Sequence, residues 1–318
     1  MMRCIVSPQN NPEFNLAAEE YLFRNYADDI FFLYVNKQAV VVGKHQNTLA
    51  EINHQFVREN NIAVIRRLSG GGSVYHDLGN LNFSFHQTVV DTSKISFKNF
   101  NHPIVEVLHQ LNVPAEISPR NDIFVNGFKI SGHAEHVFRN RILSHGTLLF
   151  NVNRENLSKA LKNESGTFSG KAIQSVRSKV ANITDFLEQQ ISMNEFIQLI
   201  LEHILSTSSG SQIYELNSGE LKNIEKLMME KYATWEWNFG YSPRYRFEKS
   251  MDQLSCSISI QVERGLITDV EIGGDAVSVE QKNTVQKLLL NCTHEYDEIR
   301  QKLSEPEINL PDLTECFF

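Results

Sequence analysis

Three consecutive glycines, preceded by two arginines, are the part of this sequence that points most clearly to chemistry. The run reads RRLSGGGSVYHD over residues 66–77. Glycine has no Cβ, so it lets a backbone come close to a ligand, and it permits positive φ angles that point successive N–H groups at an anion. Arginines beside such a loop supply forked donors for a phosphate or carboxylate. The pattern predicts a loop that binds a nucleotide or an acyl adenylate.

A glycine run can also be a plain flexible turn, and paired arginines are often solvated surface residues. The His76-Asp77 pair that follows this run favours the binding interpretation. The sequence lacks the GxxxxGK[ST] pattern of a P-loop and the GxGxxG pattern of a dinucleotide fold. Those two nucleotide-binding folds are therefore excluded.

Composition limits the class of protein. A chain of 318 residues with 41% apolar residues is long enough for one large and one smaller globular domain. A formal net charge of −8 disfavours a general nucleic-acid binder, which relies on clustered Lys and Arg. The four cysteines lack the CxxC spacing of a zinc site and predict no disulfide framework. We expect a cytoplasmic protein without a leader, a membrane anchor or a metal centre of its own.

Apolar spacing predicts an α+β fold with mixed hairpins and helices rather than a regular βαβ winding. Helices are predicted at 15–26 (with Asn15 as a possible cap), 52–60, 103–111, 154–161, 193–206 (with a Ser192/Glu195 capping box), 279–290 and 297–303. Strands are predicted at 30–35 and 39–43, joined as a hairpin by the polar residues 36–38, and at 62–67, 82–90, 122–130 (a hairpin turning at Asn126-Gly127), 145–150, 254–262 and 266–272. A change in pattern near residue 246 predicts a large domain over 1–245 and a small one over 246–318.

Five ordered motifs then make a resemblance specific. They are RRLSGGGSVYHDLGNLNFSF at 66–85, RND at 120–122 with FKISG at 128–132, HGTLL at 145–149, KAIQSVRS at 171–178 and WEWNFG at 235–240. Together they resemble the lipoate–protein ligase A family over about residues 1–245. The last part of the chain is similar in kind to the accessory domain of that family.

The resemblance implies a fold and an activity. The fold is a mixed-sheet catalytic domain of the biotin/lipoate-ligase, class II synthetase-like type, with a small C-terminal α+β domain. The activity is activation of lipoate by ATP and Mg2+ to lipoyl-AMP, followed by attack of an acceptor lysine without any enzyme nucleophile. The acceptors implied are apo lipoyl domains of 2-oxo acid dehydrogenases and the glycine-cleavage H protein. We expect a monomer.

Site residues are carried over motif by motif. The resemblance implies that Lys129 contacts the lipoate carboxyl and the adenylate phosphate, where its charge stabilises developing oxyanions. It places Arg67 at the phosphate side and Asp122 near the nucleotide or Mg2+ as a hydrogen-bond acceptor. The nucleotide would be lined by Gly72, Ser73, Val74 and Tyr75.

Other positions leave more than one interpretation open. His76 and His145 either orient the glycine loop or line a lipoate tunnel, although single histidines are usually structural. Arg66 is an alternative structural partner for a carboxylate. The segment from Lys171 to Arg177 closes over the adenylate in relatives and would exclude water. The apolar channel for lipoate has four candidate residues, which are as readily ordinary core: Leu16, Val42, Val74 and Phe83.

Four rival functions follow from the same residues. An octanoyltransferase that uses a cysteine thioester is disfavoured because no cysteine lies between Cys4 and Cys256. An octanoyltransferase that uses a lysine instead of a cysteine stays open on this count. A lipoyltransferase would use preformed lipoyl-AMP without efficient ATP activation. A biotin ligase would need a GRGRxGR-type loop, which this sequence lacks. A noncatalytic binding regulator would have lost a motif residue, and none is missing.

Overall fold

The computed structural model describes residues 1–89, 100–161, 166–176, 178–251, 255–275, 277–306 and 308–318. Its helices are α1 (Pro12–Asn25), α2 (Thr48–Glu51), α3 (His54–Glu59), α4 (His102–Gln110), α5 (Arg154–Ala160), α6 (Met193–Thr207), α7 (Ser218–Leu227), α8 (Val279–Leu289) and α9 (Tyr296–Leu303). Short 3-10 helices at Ile183–Phe186 and Pro311–Phe317 and π-helical turns at Met228–Tyr232 and Glu236–Gly240 complete the helical structure. None of the helices described is long and apolar enough to cross a membrane.

The strands form four sheets in the described part of the chain. They are β1 (Met2–Val6), β2 (Asp29–Val35), β3 (Ala39–Val42), β4 (Ala63–Arg66), β5 (Val74–His76), β6 (Asn80–Thr88), β7 (Ala115–Ile117), β8 (Ile123–Val125), β9 (Phe128–Ser131), β10 (His133–Phe138), β11 (Arg141–Leu149), β12 (Thr167–Gly170), β13 (Ser211–Ile213), β14 (Tyr245–Met251), β15 (Cys256–Glu263) and β16 (Leu266–Gly274). The sheet orders are β10-β11-β6-β2-β1-β13, β12-β14-β15-β16, β4-β3-β5 and β7-β8-β9. Parallel and antiparallel pairs occur together, so the predicted α+β class is confirmed.

The six-stranded sheet is buried on both faces, because successive side chains of a strand point to alternate sides. On β2, Phe31 and Leu33 pack into the cluster that contains α4 and α6. Ile30, Phe32 and Tyr34 of the same strand pack into the cluster that contains α1. This layered core fixes β6 against β2, and β11, which carries the HGTLL motif, pairs with β6.

The predicted hairpin across residues 36–38 is wrong. Strand β2 pairs with β1 and β6, whereas β3 pairs with β4 and β5, so the polar segment crosses from one sheet to another. Asn36 in this crossing is fully buried and bonds to Asn15 and His76. A polar linker between two apolar strands looks the same in sequence whether it turns back or crosses over.

The predicted cap of the first helix is also wrong. Helix α1 begins at Pro12, and the side chain of Asn11 accepts a hydrogen bond from Phe14 N. Asn15 lies inside the helix, buried in a hydrogen-bond network. Proline is well suited to the first helical position because its fixed φ matches the helix and no N–H is lost.

Two local predictions are confirmed. Asn126 and Gly127 have φ angles of 49° and 80° and connect β8 to β9, as a tight hairpin turn requires. Ser192 and Glu195 form a reciprocal capping box at the start of α6.

The C-terminal part packs α8 and α9 with β14, β15 and β16 around an apolar cluster that also includes Val40 and Leu49. Strand β12, from much earlier in the chain, pairs with β14 and extends this sheet. The division at residue 246 stays a prediction.

Candidate active site

Two adjoining cavities meet beside the glycine loop. The inner cavity has a volume of about 380 Å3 and reaches Leu16, Tyr34, His76, Asn82 and His145. The outer cavity has a volume of about 320 Å3 and reaches Glu51, Tyr75, Leu149, Arg154 and Leu157. The residues that line both are Ser73, Val74, Lys129, Gly132, Thr147, Ser175, Val176 and Ser178.

All eight residues predicted for the site line one of these cavities. Arg67, Gly72, Asp122 and His145 line the inner cavity. Tyr75 lines the outer one. Ser73, Val74 and Lys129 line both. The fold therefore brings together residues that are spread over 79 positions between Arg67 and His145 (145 − 67 + 1), while the role of each stays a proposal.

Lys129 lies where the two cavities meet. Its Nζ is 2.8 Å from Asp122 Oδ2, and the two side chains are 23% and 17% exposed. The other carboxylate oxygen, Oδ1, accepts a hydrogen bond from His133 N at 3.1 Å. The lysine backbone is held on both sides, because its N–H donates to Lys179 O and its carbonyl accepts from Ala181 N. The strand is fixed, while the ammonium keeps contact with open space.

Gly132 keeps that space free. A Cβ at this position would lie 3.5 Å from Lys129 Cε and 3.7 Å from its Nζ. The N–H of Gly132 donates to Thr147 Oγ1 at 3.1 Å, which ties β9 to the HGTLL strand. A small ligand group can therefore lie beside the ammonium.

The glycines of the loop have different reasons to be glycine. Gly71 has a φ of +86°, which L side chains rarely adopt. A Cβ on Gly72 would lie 2.9 Å from Ser175 Oγ, so this position allows a close approach. Gly70 has no positive φ, and a Cβ at this position would meet no atom within 4 Å, so nothing in the structure explains why it is glycine.

Arg67 holds the shape of this loop. Its Nη2 donates to Gly70 O at 2.6 Å and Gly72 O at 2.7 Å, its Nη1 donates to Val41 O and its Nε donates to Ser69 Oγ. Burial lowers the pKa of Arg67 to about 10, with the charge of Glu19 acting in the other direction.

Arg66 is fully buried, and its guanidinium donates to several carbonyl and hydroxyl oxygens. Its donors reach carbonyls of Gly43, Gln46 and Trp237 and the hydroxyls of Thr48 and Ser242. The alternative of a carboxylate partner is therefore wrong, because carbonyl and hydroxyl oxygens fill that place. Burial lowers the pKa of Arg66 to about 10.

A buried chain of hydrogen bonds connects the loop to α1. His145 Nε2 lies 2.6 Å from Ser69 Oγ, and its Nδ1 lies 2.9 Å from Glu19 Oε2. Tyr34 OH also donates to Glu19, at 3.3 Å. His145 thus contacts the loop through Ser69 and also lines the inner cavity, while its role stays a prediction. Sequence reasoning missed Glu19; the signal was an adjacent acidic pair, Glu19-Glu20, among the apolar residues of a helix.

Ser175, from the predicted closing segment, lies against the loop. Ser175 Oγ accepts from Ser73 N at 2.8 Å and from Gln46 Nε2 at 3.1 Å, and donates to the carboxylate of Glu51 in a short hydrogen bond. Arg177, at the end of the predicted closing segment, lies outside the described residues. Glu51 and Gln46 were missed because no motif contains them.

Two of the four candidates for an apolar channel line a cavity, while the channel itself stays a prediction. Leu16 and Val74 line the inner cavity, and Val41 and Tyr34 join them. Val42 and Phe83 are buried core residues instead. In β3 the neighbouring valines point to alternate sides of the strand, so only one of them faces the cavity.

Comparison with known families decides the class. Residues 11–205 match the lipoyl protein ligase A/B catalytic domain, and residues 242–314 match the bacterial lipoate protein ligase C-terminus. The chain belongs to the lipoate–protein ligase family. As a ligase of this family it is 41% identical to lipoate–protein ligase 1 of Staphylococcus aureus, over 94% of this chain and 92% of that one. It is 41% identical to lipoate-protein ligase LplJ of Bacillus subtilis, over 90% and 88%.

Solved structures show the same fold. The ligase resembles a putative lipoate protein ligase of Thermoplasma acidophilum with bound lipoic acid (TM-score 0.63, 28% identity, 75% of this chain and 98% of that one). It resembles a bipartite ligase from T. acidophilum studied with its E2 lipoyl domain (0.64, 27%, 75% and 96%). It also resembles a lipoate-protein ligase A bound with ATP (0.64, 28%, 75% and 98%). The predicted catalytic fold is confirmed.

Proposed function

We propose that this ligase activates lipoate with MgATP to lipoyl-AMP and pyrophosphate, and then transfers the lipoyl group to one lysine of an apo lipoyl domain or H protein. The observation that carries the proposal is the position of Lys129, at the junction of an inner and an outer cavity. The inner cavity would take the acyl chain and the outer one the nucleotide. Relatives bound with lipoic acid, with ATP, or studied with an E2 lipoyl domain support this assignment.

In the first step a lipoate carboxylate oxygen attacks the α-phosphorus of ATP and pyrophosphate leaves. The positive charge of Lys129 offsets the negative charge on the carboxylate and the phosphate. In the second step the neutral acceptor amine attacks the carbonyl carbon, AMP leaves with the electrons of the C–O bond, and the nitrogen releases one proton to solvent. Asp122 gives the ammonium a partner before substrates arrive, so that the charge is never unpaired.

The loop residues would bind the nucleotide. Arg67 serves the phosphate side by fixing the carbonyl oxygens of Gly70 and Gly72. The stretch Gly72 to Tyr75 would line the nucleotide through backbone and packing. The 171–178 segment, held by Ser175, would exclude water that hydrolyses the mixed anhydride. His145 would hold the loop against the acyl chain.

Mg2+ would enter as part of the substrate. This ion keeps several waters and binds through one or two carboxylates together with substrate phosphates. Asp122 in the inner cavity and Glu51 in the outer cavity are carboxylates that fit such a contact. Both are held by the protein, Asp122 by Lys129 and Glu51 by Ser175, so they would assist the ion without forming a resident site.

A cysteine-based octanoyltransferase is the second candidate, and the cysteines argue against it. Cys4, Cys256, Cys292 and Cys316 are all buried. Burial raises the pKa of the thiol to about 11 at Cys4 and to about 12 at Cys292 and Cys316, which suppresses the thiolate nucleophile. None of the described residues that line either cavity is a cysteine.

The test is lipoate-dependent pyrophosphate release by the pure protein with MgATP, in parallel with mass spectrometry of an apo lipoyl domain and an apo H protein. We expect release with lipoate and not with biotin, and one lipoyl group added to each acceptor. A protein that releases no pyrophosphate but modifies the acceptor from supplied lipoyl-AMP is a lipoyltransferase. Absence of both reactions would favour a noncatalytic regulator. Sedimentation would test the expected monomer, and cell fractionation the cytoplasmic location.

A further inference from the structure

The inner cavity contains a buried hydrogen-bond donor that its own protein leaves unpaired. His76 is 2% exposed and lines this cavity. Its Nε2 has no hydrogen-bond partner among the described residues. A buried donor without an acceptor is costly, so a ligand that supplies an acceptor gains affinity.

The hydrogen bonds behind His76 determine which ring nitrogen carries the proton. Asn15 Nδ2 donates to the backbone carbonyls of Gln9 and Val35, and these fix the orientation of that amide. The same Nδ2 donates to Asn36 Oδ1 at 2.7 Å, so the Nδ2 of Asn36 faces His76. Nδ1 of His76 must then accept at 3.0 Å, and the proton of the neutral ring lies on Nε2.

The ring is neutral under ordinary conditions. Burial lowers the pKa of His76 to about 3, and the charges of Arg67 and His145 act in the same direction. Nε2–H is therefore a neutral donor, which can pair with a neutral acceptor without leaving a buried charge.

This donor belongs to the more deeply buried part of the cavity lining. Lys129 and Asp122 are about one-fifth exposed, whereas Tyr34, His76 and His145 are 4%, 2% and 7% exposed. The unpaired Nδ1 of His133, by contrast, belongs to a residue whose N–H bonds to Asp122 at the reactive end. If the acid carboxyl lies beside Lys129, as the proposed function requires, the far end of the chain reaches the neighbourhood of His76.

We infer that His76 Nε2–H recognises the dithiolane ring, and so makes His76 a residue that selects lipoate over a straight-chain acid such as octanoate. The ring offers two sulfur atoms, which are polarizable and accept weak hydrogen bonds. Octanoate ends in a methyl group, which offers no acceptor and leaves the donor unpaired. This inference rests on the proposed function, and it identifies the dithiolane ring as the part of the acid that the inner cavity recognises.

The test compares the ratio of kcat/KM for lipoate and octanoate in pyrophosphate release, so that general damage to the enzyme cancels. We expect the wild-type ratio to fall by about tenfold in His76→Leu, because sulfur is a weak acceptor. His76→Gln, which keeps an N–H donor at the end of the side chain, should recover part of the ratio. Val41→Ala, which alters only apolar lining, should affect both acids alike. A ratio unchanged in His76→Leu overturns the inference.

A second measurement uses the wild-type protein and decides the question even if the variants do not fold. The 15N and 1H signals of His76 Nε2–H are recorded with saturating lipoate and with saturating octanoate, without ATP. We expect a shift with lipoate that octanoate does not produce. Equal shifts would mean that a water molecule or the protein satisfies the donor, and would overturn the inference. Loss of pyrophosphate release from wild type with both acids would instead refute the proposed function, and leaves this readout intact.

Discussion

The charges of Arg66, before the glycine loop, and Lys129, on β9, are stabilised in different ways. Arg66 is fully buried, and its donors are taken up by carbonyls and hydroxyls of its own protein. Lys129 has one ionic partner among the contacts described, Asp122, and both groups keep access to solvent. A charge that is satisfied internally fixes the shape of a site, whereas a charge in a single open pair can exchange its partner for a substrate.

The largest effect on stability is expected at Arg66. Arg66→Met leaves buried carbonyl and hydroxyl groups without donors, and we expect the free energy of unfolding to fall by about 3–5 kcal/mol. Urea unfolding followed by circular dichroism measures it. The matched control is Arg154→Met, whose side chain is 51% exposed and pairs with Asp185. That change should cost less than about 1 kcal/mol. A loss of unfolding free energy at Arg66 as small as that at Arg154 would contradict the structural role given to Arg66.

A change at Lys129 should affect activity strongly and stability little, the reverse of Arg66. Lys129→Ala should lower pyrophosphate release by about 100- to 1000-fold, the cost typical of removing one electrostatic stabiliser from an active site. Its free energy of unfolding should change by less than about 1 kcal/mol, because the ion pair is partly exposed. Lys129→Arg, which keeps the charge but not its compact shape, should be intermediate. A stability loss as large as that at Arg66 would make Lys129 a structural residue.

Acid should lower the free energy of unfolding through protonation of His76. Its folded pKa of about 3 lies below the unfolded value, so the unfolded chain binds the proton more readily. The stability that neutral His76 contributes is fully present above about pH 6.5 and is lost as the pH falls toward 3. The free energy of unfolding should fall by about 2 kcal/mol between pH 7 and pH 5. We expect this loss to be smaller in His76→Gln, measured by urea unfolding at both pH values. Parallel curves for the two proteins would contradict it.

Glu51 should give the smallest effect. Glu51→Gln weakens the hydrogen bond that holds Ser175, and we expect the KM for ATP to rise about fivefold, equivalent to about 1 kcal/mol, with little change in kcat. Glu155→Gln, at an exposed carboxylate paired with Lys159, is the control and should leave KM unchanged. An unchanged KM for Glu51→Gln would mean that the 171–178 segment does not depend on this contact.

Local signals in the sequence predicted local structure well. Asn126-Gly127 and the Ser192/Glu195 capping box act within a few residues, and both are confirmed. The eight predicted site residues also line the two cavities. Their roles remain proposals.

Long-range relations could not be predicted. The polar crossing at residues 36–38 looked like a hairpin, because pairing partners of β2 and β3 lie far away in sequence. The burial of Glu19 depends on His145, which lies on β11 far along the chain. Arg66 and Arg67 are adjacent in the sequence, yet Arg66 lies in a fully buried network and Arg67 holds a loop at a cavity wall. The sequence pattern alone does not state which neighbours a side chain meets.

The most direct measurement is a crystal structure of the ligase with a non-hydrolysable analogue of lipoyl-AMP. We predict that Lys129 Nζ lies within about 3.2 Å of an oxygen of the acyl-phosphate linkage, while the carbonyl and hydroxyl partners of Arg66 stay the same. If Lys129 instead remains bound to Asp122 alone and an arginine of the 66–67 pair moves to contact the phosphate, then the exchangeable charge has been assigned to the wrong side of the site.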